Sequence, residues 1–172
     1  MLNKKGFTLI ELLAVLSLLS IIMLIAIPNV LSLLDKNKRA SYIEDGKQLV
    51  TLAEYEFRSN TSISSPKKGE AVILTLNCLD SGDLTNSPDG GEYDKNNSFV
   101  AIANHNGEYK YYVTLRDNNK KGFKLLLNSA LNTSSAYKEI TTNIGWYNLS
   151  LNGTIASESD ALSYKIIYVC TG

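Results

Sequence analysis

From Leu9 to Ile27 every side chain is apolar except Glu11, Ser17 and Ser20, and this run limits what the chain can fold into more than any other feature of its 172 residues. With Phe7 in front and Val30 to Leu34 behind, it is long enough to cross a bilayer as a helix, for which about 20 apolar residues suffice. Lys4 and Lys5 precede the run, and no small-x-small cleavage signal follows it. The lysines should therefore stay cytoplasmic while the rest is exported.

What remains after the apolar run is enough for one compact domain, and a second independent domain is not expected. Basic and acidic residues are equal at 17 each, with basic residues clustered no further than pairs such as Lys67-Lys68 and Lys120-Lys121. Nothing in that balance suggests an electrostatic grip on nucleic acid.

Hydropathy alone is equally satisfied by an uncleaved signal anchor carrying any extracellular domain. Three residues speak against that reading. Gly6 sits at the border between the charged leader and the apolar run, where a small residue suits a peptidase working at the cytoplasmic membrane face. Glu11 places a carboxylate inside a hydrocarbon segment at a cost of about 2 to 4 kcal/mol, which calls for a partner. In a chain beginning at Phe7 the nearest cation is the free amino terminus, its own or a neighbour's. Pro28 removes one helix hydrogen bond and should kink or loosen the span.

The stretch Gly6-Phe7-Thr8-Leu9-Ile10-Glu11 resembles the prepilin processing motif of type IV pilins and type II secretion pseudopilins, and Pro28 stands where that family carries a helix-breaking proline. The short lysine-bearing leader is similar to the type IVa style. The resemblance covers the first thirty residues closely. It implies cleavage between Gly6 and Phe7 by prepilin peptidase, methylation of the Phe7 amine, and pairing of Glu11 with that amine on an adjacent subunit. It also implies a single-pass precursor in the cytoplasmic membrane that pilus assembly machinery draws into an extracellular filament. The partners are then copies of itself and other pilins, joined through their N-terminal helices. Loss of Lys4 and Lys5 from the 17 basic residues would leave 15 against 17 acidic ones, a slightly acidic exported chain.

On this reading residues 1–6 are the leader, 7–34 the transmembrane and assembly helix, 35–59 its amphipathic continuation, and 60–172 a globular head. In the continuation Ala40, Ile43, Gly46, Val50, Ala53 and Phe57 recur at intervals of three and four, a stripe expected to pack on a sheet. Gly46 costs about 1 kcal/mol in mid-helix relative to alanine, marking close approach of another backbone or a bend. Asp35 to Arg39 reads first as a solvated helix face, with lipid head groups or neighbouring subunits as the alternative partners.

In the head, Ala71 to Leu79 is a strand or a short helix, and periodicity does not decide between them. Asp80 to Asn97 has loop chemistry. Ser98 to Ala103, Glu108 to Arg116 and Phe123 to Leu127 read as three antiparallel strands joined by Asn104-His105-Asn106-Gly107 and Asn118 to Gly122. Tyr109, Tyr111 and Val113 alternate with Lys110, Tyr112 and Thr114. Trp146 to Leu151 and Ser163 to Cys170 offer further strands. The expected fold is α+β, a long N-terminal helix packed on an antiparallel sheet. The pilin resemblance implies the same.

Cys78 and Cys170 are the only cysteines, too far apart for a Cys-x-x-Cys motif, and an exported domain meets an oxidising compartment, so one structural disulfide is the natural reading. Many pilins carry a disulfide near the C-terminus, but with a shorter loop. Two buried free thiols stay open as the alternative.

No catalytic constellation is evident. His105, the only histidine, falls in a hairpin turn without a nucleophile or orienting acid. Asp80, Asp83, Asp89, Glu92 and Asp94 form an acidic loop that calcium suits in some secretion pseudopilins, but they lack EF-hand spacing. Asn60, Asn96, Asn132, Asn148 and Asn152 match Asn-x-Ser/Thr at the rate an Asn-rich chain gives by chance. No cofactor is implied, and the tyrosines are explained by sheet and core positions. The sequence therefore reads as a non-enzymatic pilus subunit, with a secretion or competence pseudopilin and a membrane-anchored enzyme or binding module as alternatives.

Overall fold

The computed structural model describes residues 6–79, 82, 84, 86–132, 138–139, 151–157 and 160–172. Lys4 and Lys5, Asp80 and Asp83, Asn148, and all but the last residue of the expected strand Trp146 to Leu151 lie outside them.

One helix, α1, runs from Leu9 to Ser59. Thr8 starts it through a reciprocal cap: its amide and hydroxyl both donate to Glu11 Oε2 at 2.8 Å, and the Glu11 amide donates back to Thr8 Oγ1 at 3.3 Å. At the other end the Asn60 amide donates to the Glu56 carbonyl at 2.9 Å, and Asn60 Nδ2 donates to the Glu56 carboxylate at 2.7 Å.

The chain divides into two compact units, Met1–Asn37 and Lys38–Gly172. In the first, residues 6–37 are all solvent-exposed, including the large apolar side chains from Leu9 to Leu34. Polar groups in its apolar stretch are satisfied within the helix: Ser17 Oγ donates to the Ala14 carbonyl, Ser20 Oγ to Leu16 and Asn29 Nδ2 to Ile25. Pro28 lies inside α1 without interrupting it.

The second unit packs the rest of α1 on a seven-stranded sheet comprising β1 (Glu70–Thr75), β2 (Phe99–His105), β3 (Glu108–Arg116), β4 (Lys121–Leu127), β5 (Lys138–Glu139), β6 (Thr154–Ala156) and β7 (Ser163–Cys170). Their spatial order is β5-β4-β3-β2-β1-β7-β6. Ala71 to Leu79 thus opens as a strand. All pairs are antiparallel except β1 with β7, so the long helix lies on the expected antiparallel sheet with one parallel pair inside it. The long path from β1 back to β7 allows that parallel return.

The helix stripe is shifted from its expected position. Tyr42, Ile43, Gly46, Leu49, Val50 and Ala53 are buried, whereas Ala40 is exposed and Phe57 only half-buried. Tyr42 belongs to the core because its hydroxyl has a buried acceptor, Asp117. These residues meet Val72, Leu74, Val100, Ile102, Val113, Leu115 and Phe123 on one face of the sheet. A second apolar cluster, which the sequence reading did not foresee, gathers Ala71, Ile73, Phe99, Ala101, Ala103, Tyr112, Leu125 and Ile166 from the alternate positions. Leu125 reaches it through a bulge in β4: the register with β3 shifts between Val113 and Leu115, and Leu125 takes φ 44°.

A polar clamp ties α1 to the loop before β2 and to the end of β3. Asp117, fully buried, accepts from Tyr42 Oη, from Ser87 Oγ at 3.0 Å and from the Lys121 amide at 2.8 Å. Tyr93 Oη donates to Asp45, and the Tyr42 and Tyr93 rings meet edge to face with centroids 6.0 Å apart. Burial first, and then the bond to Asp117, pushes the Tyr42 hydroxyl far above its ordinary range, so it stays a donor.

Candidate functional site

Gly6 and Phe7 lie ahead of the first helical residue, and, chain neighbours aside, none of the described residues comes within 4 Å of where a Gly6 side chain would begin. Phe7 is 85% exposed. The peptide bond between them therefore lies outside the helix and is exposed. Glu11 follows in the first turn of α1, its Oε2 held by the Thr8 amide and hydroxyl. Thr8 is the residue that the sequence reading missed, although Thr-x-x-Glu before an apolar run is a capping-box signature.

Behind the cap, the apolar part of α1 is wholly exposed, and α1 is the one helix among the described residues long and apolar enough to cross a membrane. Residues 1–27 match the family model described as the prokaryotic N-terminal methylation motif. The chain carries a pilin-type N-terminus. That motif is typical of type IV pilins and prepilins, and the helix-plus-sheet head is a pilin-like architecture. No curated protein and no solved structure matches the chain.

In the head, other candidate groups take on structural work. Asp89 is 5% exposed and paired with Lys38 Nζ at 2.8 Å and Lys121 Nζ at 3.2 Å. Lys38 was expected on a solvated helix face; instead it binds its own head, because the loop delivers a buried carboxylate to it. Asp94 accepts from Asn97 Nδ2 at 2.6 Å and from the amides of Asn96 and Asn97. Glu92 is exposed. These carboxylates are not gathered for a cation, and no group of three His, Cys, Asp or Glu among the described residues is arranged to hold a metal.

His105 ends β2 rather than sitting in the turn, which shrinks to Asn106 (φ 56°) and Gly107 (φ 97°). Cys78 and Cys170 are joined, with Cα atoms 5.8 Å apart. Nearby, Thr75 Oγ1 donates to the Cys170 carbonyl and Asn77 Nδ2 to that of Thr171, both at 2.9 Å, fixing the C-terminal end beside the end of β1.

Proposed function

We propose that this chain is a structural subunit of a type IV pilus. It is inserted as a single-pass prepilin, cut by prepilin peptidase between Gly6 and Phe7, methylated at Phe7, and built into an extracellular filament that serves adhesion, surface motility or biofilm formation. The observation that carries this reading is the methylation motif at residues 1–27, with the Gly6-Phe7 bond outside the helix and Glu11 one turn beyond it. In this reading the cut frees an amine at Phe7, and Glu11 on a neighbouring subunit neutralises it in a medium where an unpaired carboxylate is costly. Homotypic contacts then run through the apolar helices, which have no burial of their own in the single chain. The internal engagement of Asp89 and Asp94 favours a pilus subunit over a pseudopilin with a calcium loop.

Intact-mass measurement on protein taken from the cell surface tests this. The expected mass is that of a chain starting at N-methylated Phe7; an intact Met1 on surface-exposed protein overturns the reading. Immunogold labelling of sheared filaments then separates a pilus subunit, labelled along the filament or at its tip, from a pseudopilin, which leaves filaments unlabelled.

A further inference from the structure

A cleft of about 310 Å³ opens at one end of the sheet in the second unit, lined by Lys68, Asn104, His105, Asn106, Ser163 and Tyr164 together with backbone of the adjoining turns. It lies where β2 ends and where β1 and β7 begin. This is also the end reached by the last turns of α1, since Phe57 packs edge to face on Tyr109 at the start of β3. We propose that this cleft binds a single acidic saccharide unit, a sugar ring carrying a carboxylate.

The walls are fixed before any ligand arrives. Asn104 Nδ2 donates to the Pro66 carbonyl at 2.9 Å while its Oδ1 accepts the Gly107 amide at 2.8 Å. The Gly69 amide donates to the Asn104 carbonyl, and the Lys165 amide to that of Gly69, joining β2, β1 and β7 across the floor. Tyr164, 3% exposed, has its hydroxyl 3.1 Å from that of Tyr112, which itself donates to Asp160 at 2.7 Å; the His105 ring stands edge-on to Tyr164. At the rim Ala161 holds φ 54°, a conformation costly for a side chain with a Cβ and one that concentrates at binding sites.

The chemistry left over defines the ligand. The volume sits at the low end for small-molecule sites, which suits one sugar ring rather than an extended chain. Ser163 offers a hydroxyl, and Asn106 Nδ2 and His105 Nε2, 3.3 Å apart and bonded to each other, present a joined amide and imidazole pair, the mixture that sugar hydroxyls use. Charge selects the acidic form. Lys68 is exposed and has no ion pair among the described residues, while the nearby acids are engaged: Glu70 accepts the Lys67 amide at 2.8 Å, and Asp160 binds Tyr112 and Lys110. Glu108, opposite His105 in the hairpin register, does not line the cleft. A ligand carboxylate thus meets an exposed ammonium that makes no ion pair among the described residues.

The test uses the full ¹⁵N-labelled chain in detergent micelles, titrated with methyl glucuronide, methyl glucoside and inorganic phosphate while backbone amide shifts are followed. Glucuronide should move the amides of Gly69, His105 and Leu162 together and saturably, with glucoside roughly tenfold weaker because it lacks the charge-assisted contact. Lys68→Gln, a change on the exposed turn, should bring glucuronide to the glucoside level and leave the remaining spectrum in place. Ser163→Ala should weaken both sugars. Silent amides, equal binding of the two sugars, or a Lys68→Gln variant that binds glucuronide unchanged each overturns the proposal. Phosphate that saturates the same amides as well as glucuronide does overturns the saccharide reading in favour of a plain anion site. None of these outcomes depends on processing or filament assembly.

Discussion

Gly46 lies where α1 passes over Phe123: a Cβ built there would come 2.4 Å from the ring Cζ, and Phe123 is itself 2% exposed. The close neighbour is thus a side chain, not the second backbone that a mid-helix glycine suggests. Alanine would gain about 1 kcal/mol of helix propensity, but forcing a buried ring aside costs about 1 to 3 kcal/mol. Gly46→Ala should therefore destabilise the head by about 1 kcal/mol, read as a lower urea midpoint in near-ultraviolet circular dichroism. In a Phe123→Leu background the same change should become neutral or stabilising. A stabilising Gly46→Ala in the wild-type background would mean that the ring yields freely. Beside Gly46 in the sequence, Asp45 carries a pH signature. Burial raises its carboxyl above the ordinary 3.8, outweighing the lowering by the Tyr93 hydroxyl, and Glu44 adds to the rise. A raised folded-state value means that its contribution to stability is fully present below pH 3.8 and is lost as pH climbs through the folded-state value. The stability of the wild type relative to Asp45→Asn should therefore fall across that window; parallel curves would remove Asp45 as the titrating group.

At the scale of elements, β7 is the return of the chain into the middle of the sheet, pairing with β1 on one side and carrying β6 on the other. The Cys78–Cys170 bridge closes a 92-residue separation across that return. In the chain-entropy picture a closure of this length is worth about 4.6 kcal/mol, so Cys170→Ser, or a reductant, should lower unfolding free energy by about 3 to 5 kcal/mol, seen as a drop in the urea midpoint. An unchanged midpoint under reducing conditions would show that the strand pairing suffices alone. The elements also show which parts of the fold were legible in sequence. β3 and β7 have the residue limits read from their composition, and the β2–β3 turn was marked by Asn106-Gly107. The two-sided burial of β1 and β2 was present as unbroken apolar runs, Ala71 to Leu74 and Phe99 to Ala103, but such runs suit a buried helix as well as a strand. The parallel β1–β7 pairing and the bulge that redirects Leu125 depend on contacts between distant segments, which no local pattern encodes. β5 and β6, two and three residues long, are too short for any periodicity.

For the whole molecule, the contrast between the two units matters most: Lys38–Gly172 buries two apolar clusters, whereas residues 6–37 bury nothing. The candidate processing site was legible because it rests on adjacent residues, Gly6, Phe7 and Glu11, while Thr8 shows its part only through the hydrogen bonds it makes. This separation allows the assembly role of Glu11 to be tested apart from folding. Glu11→Ala removes a carboxylate from a segment without tertiary contacts, so the head's unfolding midpoint and the membrane fraction of the protein should stay as in the wild type. Incorporation into sheared filaments should fall to background. Because the same change also strips the helix cap, worth about 1 kcal/mol, Thr8→Ala supplies the control: it loses the cap and keeps the charge. If Glu11 acts by charge, Thr8→Ala should still enter filaments, reduced a few-fold at most. If both variants fail equally, the cap rather than the carboxylate is what assembly requires, and if Glu11→Ala enters filaments normally, the pairing of Glu11 with a neighbouring Phe7 amine is excluded.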